Sequence, residues 1–356
     1  MIDGVYGISS IHYTMAWADL KEGAVGCAEG ACYNRWHEWL MYNQSRALNK
    51  LTLKNKERNV HTDIRIGTLV KGSEPDVAGY IQQILPHGFE SFQLFFWQTL
   101  GGVDLRQLAP PVNEALADSG AIISSIGVFG NPLEQTPTDL ESLRGWEEAI
   151  DCAHLFGADM VCGFTGRLRG QSIDASIPRY VEVFGELAQR AADKGVRLAF
   201  ENCPMGGNWQ SGDWNIAHNP AAWELMFDAL PADNIGLEWE PCHQMTQLIE
   251  PIPQLRTWTP KIYHLHGKCA TIRWDVIREY GIGGNVPWVF HRTPGFGDCN
   301  WADVISELRI AGYQGCIDIE GWHDPVYRDE LEMTGQVHGL NYLKRCRGGA
   351  FVPNPA

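Results

Sequence analysis

Eight short apolar runs alternate along this chain with amphipathic segments of helical period, and this alternation limits the possible folds more than any other feature. The runs are residues 64–70, 89–97, 121–128, 160–164, 196–200, 235–239, 261–265 and 315–319. One intervening segment carries a single apolar stripe at the helical spacing of three and four, formed by Ile177, Val181, Phe184, Ala188 and Ala191. Buried strands that alternate with helices indicate a parallel sheet built from β-α units.

The alternation covers about 260 residues, from Ile64 to Glu320, close to the roughly 250 residues that an eight-stranded β/α barrel uses. An open doubly wound sheet is the alternative, but residues 68–72 after the first run contain one glycine and lack the phosphate-binding fingerprint of that fold. We therefore predict an α/β fold, a (β/α)8 TIM barrel that forms a catalytic domain over residues 63–347. Residues 268–301 are rich in Gly and Pro, and we expect a functional loop without a helix there.

The two ends of the chain do not follow the pattern. Residues 1–62 carry three tryptophans, no clear period and a polar junction at residues 54–58, and we interpret them as an N-terminal extension. The extension is either a cap over the barrel or a stretch outside the natural product, whose start would then lie near Val60. Residues 348–356 are predicted to be a short C-terminal tail.

Composition excludes several classes of protein. The net charge is −15, from 28 Lys+Arg and 43 Asp+Glu, which argues against binding to nucleic acid or to an anionic membrane surface. The sequence has no apolar run of about 18 residues and no basic stretch before an apolar core, so we expect neither a membrane span nor a signal peptide. The ten cysteines include no C-x-x-C pair, and reduced, buried thiols in a cytoplasmic protein are expected.

Polar side chains stand at the carboxyl ends of four consecutive apolar runs, where barrels of this type place their active sites. Glu201, Glu240, His266 and Glu320 end the fifth to eighth runs. Side chains two residues apart share a face of a strand. The apolar side chains of the other face are expected to pack against the helices, so these four side chains should point into the barrel interior. Three carboxylates cannot all ionise in one pocket without a cation, so we predict one divalent metal site, suited to Mn, Mg or Co.

Other polar and aromatic residues near these ends have two interpretations each. Lys268 either holds a substrate oxygen or is solvated, and Arg292 either clamps the substrate or pins its own loop. Trp97 can form a flat apolar wall for a ring, whereas Phe95 and Phe96 are expected to pack within the barrel. These alternatives stay open from the sequence alone.

Three further residues have a weaker link to chemistry. His264 lies one layer deeper than His266 and is expected to be a core histidine with satisfied nitrogens. Arg167 and Arg169 follow the fourth run and could meet a phosphate group, which would favour a sugar phosphate as substrate.

The strand-end motifs resemble those of the xylose-isomerase-like superfamily of sugar isomerases and epimerases. The resemblance rests on Phe200-Glu201-Asn202, Glu240-Pro241-Cys242-His243, His264-Leu265-His266-Gly267-Lys268 and Ile319-Glu320-Gly321. It implies that the four strand-end residues bind one divalent metal and that Glu201 and Glu320 also transfer protons. The superfamily usually carries Asp where this chain has Glu240, which makes Glu240 the departure from the pattern. His243 is implied as an acid/base group or a partner of a sugar hydroxyl.

Longer motifs are similar to the large subunit of bacterial C-glycoside deglycosidases. They are KCATIRWDVIREYGI at residues 268–282, HRTPGFGD at residues 291–298 and GWHDPVYRDELEMTGQVHGLNYLKRCR at residues 321–347. In that family a large barrel subunit works with a small β-rich subunit and cleaves the carbon–carbon bond of a sugar oxidised at C3. The resemblance therefore implies a lyase that acts on an oxidised sugar glycoside, with a small β subunit or a second copy of the chain as partner.

The expected chemistry begins with loss of the acidic C2 proton of a 3-oxo-glycoside, which gives an enediolate. A divalent metal stabilises that charge and a carboxylate takes the proton. Collapse of the enediolate expels the aglycone, whereas reprotonation gives an epimer or an isomer. A sugar or sugar-phosphate isomerase or epimerase is therefore the main alternative, a non-catalytic barrel scaffold is a further one, and a multi-zinc endonuclease of the same fold is disfavoured by the charge.

Overall fold

A computed structural model of the protein describes residues 64–348 and Pro355. The predicted N-terminal extension, residues 1–62, lies outside the described residues. The same holds for most of the predicted C-terminal tail.

Ten strands occur within residues 64–348. They are β1 (Arg65–Lys71), β2 (Ser91–Trp97), β3 (Ile122–Phe129), β4 (Met160–Gly163), β5 (Arg197–Glu201), β6 (Ile235–Trp239), β7 (Ile262–Gly267), β8 (Cys269–Ile272), β9 (Val289–Arg292) and β10 (Cys316–Ile319). Strands β1 to β7 and β10 form a closed parallel barrel, in which β10 lies between β7 and β1. The prediction of an eight-stranded TIM barrel is confirmed, and each predicted run overlaps one barrel strand.

The same part of the chain contains ten α-helices. They are α1 (Val77–Ile84), α2 (Leu105–Leu116), α3 (Pro137–Cys152), α4 (Ile173–Asp193), α5 (Pro220–Ala229), α6 (Pro241–Met245), α7 (Pro251–Trp258), α8 (Trp274–Tyr280), α9 (Trp301–Ile310) and α10 (Glu332–Arg347). Local sequence sets several helix starts. Thr136 and Asp139 form a capping box on α3, and the Asn300 side chain accepts hydrogen bonds from two backbone N–H groups of α9. No helix within residues 64–348 is long and apolar enough to cross a membrane.

The main apolar core lies between the barrel and the surrounding helices. Phe200 of β5 points outward, and its ring packs against Trp146 of α3 and against Tyr180 and Phe184 of α4, at centroid distances of 6.3, 5.9 and 4.8 Å. Each such buried ring contributes roughly 1.5–3 kcal/mol to folding. Because neighbouring side chains on a strand face opposite ways, this packing turns Glu201 into the barrel interior.

The segment between β7 and β10 contains a hairpin and two helices, α8 and α9. Strands β8 and β9 pair antiparallel, from Cys269 opposite Arg292 to Ile272 opposite Val289, and α8 lies in the connection between them. The expectation that residues 268–301 contain no helix is therefore wrong. The Gly and Pro residues are concentrated on either side of β9, and the sequence of α8, WDVIREY, has few helix-breaking residues.

The last helix is bound to the amino-terminal end of the first two strands. Arg347 of α10 donates to the backbone oxygen of Ile64 and makes two hydrogen bonds to the carboxylate of Glu90, at 2.5 and 3.0 Å. Lys344, one turn earlier, donates to the backbone oxygen of Gly88. These contacts lie at the end of the barrel opposite to the strand ends that carry the predicted site.

Candidate active site

The barrel brings the four predicted metal ligands together. Glu201 ends β5, Glu240 follows β6, His266 lies near the end of β7 and Glu320 follows β10. One ligand atom from each residue lies within 4.8 Å of those of the other three. The imidazole of His266 faces the carboxylates with its Nδ1 atom, which lies 3.2 Å from Glu201, 3.4 Å from Glu320 and 3.7 Å from Glu240.

Amide side chains fix the backbone that carries two of these carboxylates. Asn202 donates from Nδ2 to the backbone oxygen of Glu240 at 2.9 Å, and its Oδ1 accepts from the backbone N–H of Glu240 at 2.7 Å. Asn215 donates to the backbone oxygens of Glu201 and Cys203. The ends of β5 and β6 are therefore held at fixed positions, which places both carboxylates over the same point.

The electrostatics of this group of side chains fit a bound cation. Both carboxylate oxygens of Glu240 and Oε2 of Glu320 are buried and make no hydrogen bond to any described residue. Burial raises the pKa of Glu201, and it raises the pKa of Glu240 to about 8. Buried acceptors without donors cost roughly 1–3 kcal/mol each. A divalent metal would satisfy these oxygens, so the residues present fit such an ion.

Two predicted polar partners lie beside the carboxylates. Nζ of Lys268 donates to Glu320 Oε1 at 2.9 Å and lies 3.4 Å from Glu240 Oε1. Burial opposes a charge on Lys268, but the two carboxylates outweigh it and raise its pKa well above the usual value. His243, in the short helix α6, places Nε2 3.4 Å from Glu240 Oε1 and 3.8 Å from Glu201 Oε1. Burial and the Lys268 charge lower the pKa of His243, which keeps its imidazole neutral.

A second layer of ionisable side chains lies deeper in the barrel. The sequence predicted His264 there, as a core histidine with satisfied nitrogens, but not its two acidic partners. His264 is buried, with Nδ1 2.8 Å from Glu238 and Nε2 2.9 Å from Asp318. Asp318 also accepts hydrogen bonds from the hydroxyl groups of Ser91 and Ser124. The signal for this layer was present, because Glu238 and Asp318 stand two residues before Glu240 and Glu320 and so share their strand faces.

The two layers meet at His266. Its Nε2 atom lies 2.7 Å from Gln93 Oε1 and 3.1 Å from Glu238 Oε1, on the side of the ring opposite to the three carboxylates. Gln93 in turn donates from Nε2 to Glu238 at 2.5 Å and to Ser125 at 2.8 Å. A hydrogen bond at Nε2 fixes the tautomer that leaves Nδ1 free to bind a metal.

A cavity of about 1120 Å³ opens above the four ligands. One wall is aromatic and contains Phe95, Trp97, Phe129, Phe164 and Trp322. The Trp97 ring is half exposed and packs against Trp214 at a centroid distance of 5.5 Å. Phe95 packs against Phe129 and Trp322, at centroid distances of 6.5 and 4.7 Å, but it also lines the cavity. Phe96 is fully buried, as expected.

Three arginines singled out in the sequence do not line this cavity. Nε of Arg292 donates to Asp324 Oδ2 at 3.0 Å, so its side chain ties the hairpin to the loop after β10. Arg167 is buried and donates to backbone oxygens of its own and a neighbouring loop. Arg169 pairs with Asp139. None of the three is placed to hold a phosphate group above the ligands.

The fold and this site define a sugar-isomerase-like class of barrel, and comparison with known proteins gives the family. A family model described as a xylose isomerase-like TIM barrel matches residues 81–346, and the chain belongs to that family.

Individual relatives share little sequence identity with this chain. The rhizopine catabolism protein MocC of Rhizobium meliloti is 26% identical over 184 residues, a match that spans 50% of this chain and 49% of that protein, about half the length of each. The 3-keto-D-glucoside 4-epimerase of E. coli has a TM-score of 0.59 at 16% identity, over 80% of this chain and 100% of that one. A D-psicose 3-epimerase solved in the presence of D-fructose has a TM-score of 0.60 at 16% identity, over the same shares. Identities this low show a common fold.

Proposed function

We propose that the protein is a divalent-metal-dependent lyase that removes the C2 proton of a 3-oxo-C-glycoside and expels the aglycone. One observation carries the proposal: three buried carboxylates and one imidazole face a single point in a large cavity whose wall is aromatic. The polar end suits an oxidised sugar and the aromatic wall suits the flat ring of an aglycone. The metal is proposed to be Mn, Mg or Co, as the oxygen-rich ligand set favours.

In this proposal Glu201 accepts the C2 proton. Burial raises the pKa of its carboxyl group, which makes the ionised form a stronger base than an exposed glutamate. The electron pair left at C2 delocalises into the C3 carbonyl and gives an enediolate. A divalent ion held by the four ligands would supply Lewis-acid stabilisation of this charge. The charged Lys268, 2.9 Å from Glu320, is suited to hold a substrate oxygen beside it.

The second half of the reaction breaks the bond between C1 and the aglycone. The C3 carbonyl forms again, a double bond forms between C1 and C2, and the electron pair of the broken bond leaves with the aglycone carbon. That carbon takes up one proton. We assign its delivery to His243: the neutral imidazole gives its N–H proton to the aglycone carbon and takes up the C2 proton from Glu201, whose carboxylate lies 3.8 Å from its Nε2.

A sugar epimerase or isomerase is the second candidate, and the structural relatives favour it. Among them is an enzyme described as a 3-keto-D-glucoside 4-epimerase, which supports an oxidised glycoside as the substrate class. In this version Glu320 returns a proton to the enediolate and the substituent at C1 stays in place. The two candidates use the same first step, so they differ only in whether the aglycone leaves.

We also propose that the chain works with a partner, either a small β-rich subunit or a second copy of itself. Support comes from large apolar side chains exposed on and just after α8. Trp274, Tyr280 and Ile282 are each at least half exposed. Apolar side chains clustered in this way on a surface are typical of a protein contact.

The test uses the full chain loaded with Mn in deuterated water, with and without a candidate small subunit. A 3-oxo-C-glycoside and free ketoses such as D-fructose are offered separately. Mass spectrometry follows deuterium at C2 of the glycoside, deuterium at C3 of the ketose, and released aglycone. Glu201→Gln removes the proposed base, and Glu330→Gln changes an exposed glutamate as its matched control.

Release of aglycone by the control but not by Glu201→Gln would support the lyase. Deuterium incorporation without release would make the protein an epimerase or isomerase. If neither probe exchanges under any of these conditions, the proposal of proton transfer at this site is wrong and the scaffold interpretation takes its place.

A further inference from the structure

The hairpin between β7 and β10 brings one more imidazole to the cavity. His291 of β9 lines the cavity and lies between two other histidines. Its ring centroid is 5.5 Å from that of His243 and 5.7 Å from that of His323, with interplanar angles of 78° and 72°. The three rings thus form a row along the side of the cavity that carries Glu320.

The middle ring differs from its two neighbours in its contacts. Nε2 of His243 lies 3.4 Å from Glu240, and Nε2 of His323 lies 3.3 Å from Glu320. The His291 imidazole makes no hydrogen bond with any other residue that the structure describes, although it is largely shielded from solvent. An imidazole nitrogen at a cavity wall without a protein partner is available to a ligand in that cavity.

The hairpin does not need this side chain for its own stability. Arg292 and the backbone N–H of Thr293 bind Asp324, and Asp298 accepts from the backbone N–H of Ile272. These contacts hold the hairpin to the loop after β10 and close its open end. His291 therefore stands on a well-supported strand without contributing a hydrogen bond to it.

We propose that His291 is a substrate-binding residue that hydrogen-bonds an oxygen of the sugar beside Glu320 and so sets the position of the reacting carbons. This inference rests on the proposed function, because it assumes that a sugar occupies the cavity. It assigns to the inserted hairpin a direct part in substrate recognition, in addition to the residues of the eight barrel strands.

The protonation state of the ring supports such a contact. Burial and the charge of Lys268 lower the pKa of His291 to about 4. A neutral imidazole carries one donor and one acceptor nitrogen, and it can bind either a hydroxyl group or a carbonyl oxygen. Charge repulsion with Lys268 is absent in this state, which lets both groups act on one ligand.

The experiment compares His291→Gln and His291→Phe with the unchanged full chain, loaded with Mn. Gln keeps a donor and an acceptor, whereas Phe keeps only a ring. Phe290→Leu is the matched control, because Phe290 is the neighbour on β9 and points to the other face of the hairpin. For deuterium exchange at C2 of a 3-oxo-glycoside, His291→Phe is expected to lower kcat/KM by roughly 10- to 100-fold. The kcat/KM of His291→Gln should lie between that of His291→Phe and that of the unchanged chain, and Phe290→Leu should not change it. Metal affinity should be the same in all four proteins.

A second readout separates this proposal from the proposed function. The full chain is labelled with 15N at histidine, the His291 signals are assigned with the Gln variant, and D-fructose and a 3-oxo-glucoside are added in turn. A shift of the His291 signals supports the contact even if neither sugar reacts. Signals that stay unmoved with both sugars overturn it, and so does a His291→Phe variant with the kcat/KM of the unchanged chain.

Discussion

His266 is the residue on which both layers of ionisable side chains converge. Its Nδ1 atom faces the three carboxylates of the candidate metal site, and its Nε2 atom lies near Gln93 and Glu238. Because contacts at Nε2 already orient the His266 ring, it needs no reorientation when a metal binds at Nδ1. The deeper layer thus acts on the site through the orientation of one imidazole.

Glu238→Gln tests this link between the layers. Loss of the carboxylate weakens the hold on Nε2 of His266, so we expect the dissociation constant for Mn to rise about 10- to 100-fold. Titration calorimetry on the full chain measures it, with the exposed Glu224→Gln as control. An unchanged constant would mean that Gln93 alone orients the ring.

Glu240 is the ligand that departs from the pattern of the resembled superfamily, and metal removal tests its role. Metal at about 100 times its dissociation constant stabilises a binding protein by roughly 2.7 kcal/mol. We therefore expect a chelator to lower the Tm of the unchanged chain and of the Glu330→Gln control. Glu240→Gln should lose most of this response, because its neutral side chain is a weak ligand.

Without metal, Glu240→Gln should melt no lower than the metal-free unchanged chain, because burial raises the pKa of Glu240 to about 8 and Gln resembles the neutral carboxyl group that this favours near pH 7. Differential scanning calorimetry gives both values. A variant that keeps the full response to the chelator would exclude Glu240 from the ligands.

Strand alternation was sufficient to predict the positions of Glu201, Glu240, His266 and Glu320, because each ends an apolar run. It was not sufficient for Gln93, which lies in the middle of β2 and whose partners come from other strands. The sequence also left open whether Arg292 holds substrate or its own loop, and only the position of Asp324 in three dimensions places that side chain in the loop contact.

At the scale of elements, α10 holds the end of the barrel opposite to the site. Glu90 precedes β2, and its carboxylate accepts from Arg347 of α10 and from the backbone N–H of Ile66 in β1. Burial opposes ionisation of Glu90, but these hydrogen bonds outweigh it and hold its pKa below the usual value. The ionised carboxylate therefore joins the two strands to the last helix.

Glu90→Gln should lower the free energy of unfolding by roughly 1–3 kcal/mol near neutral pH, because Arg347 keeps a partner that is no longer charged. Since the folded pKa is the lower one, the stability contributed by Glu90 is present above the unfolded pKa and lost as the pH falls through the folded pKa. The difference between the two proteins should therefore shrink in acid. Urea unfolding at several pH values measures it, and a constant difference would contradict this account.

The barrel strands could be predicted from the sequence because each is a continuous apolar run, but the hairpin could not. Strands β8 and β9 have four residues each, they are separated by α8, and glycines and prolines surround them. Their pairing is a long-range contact that no local period reveals.

At the scale of the whole molecule, the cavity is assembled from distant parts of the chain. Its aromatic wall combines side chains from β2, β3, the loop after β4 and the loop after β10, whereas the candidate metal ligands come from the ends of β5, β6, β7 and β10. The barrel therefore separates a part of the cavity that can hold an aromatic ring from a part that can react with a sugar.

Trp97→Ala tests this division, because Trp97 is the half-exposed ring of the wall and is not a candidate ligand. Removal of the ring should lower kcat/KM for an aryl 3-oxo-glycoside roughly 10-fold or more, by loss of about 1.5–3 kcal/mol of apolar contact. Exchange at C3 of a free ketose, which has no aglycone, should change little. Ile310→Ala is the control, since Ile310 is an exposed apolar side chain at the end of α9, outside the cavity lining. Equal losses with both substrates would mean that Trp97 supports the site as a whole, and the aromatic wall would then have no separate role in binding the aglycone.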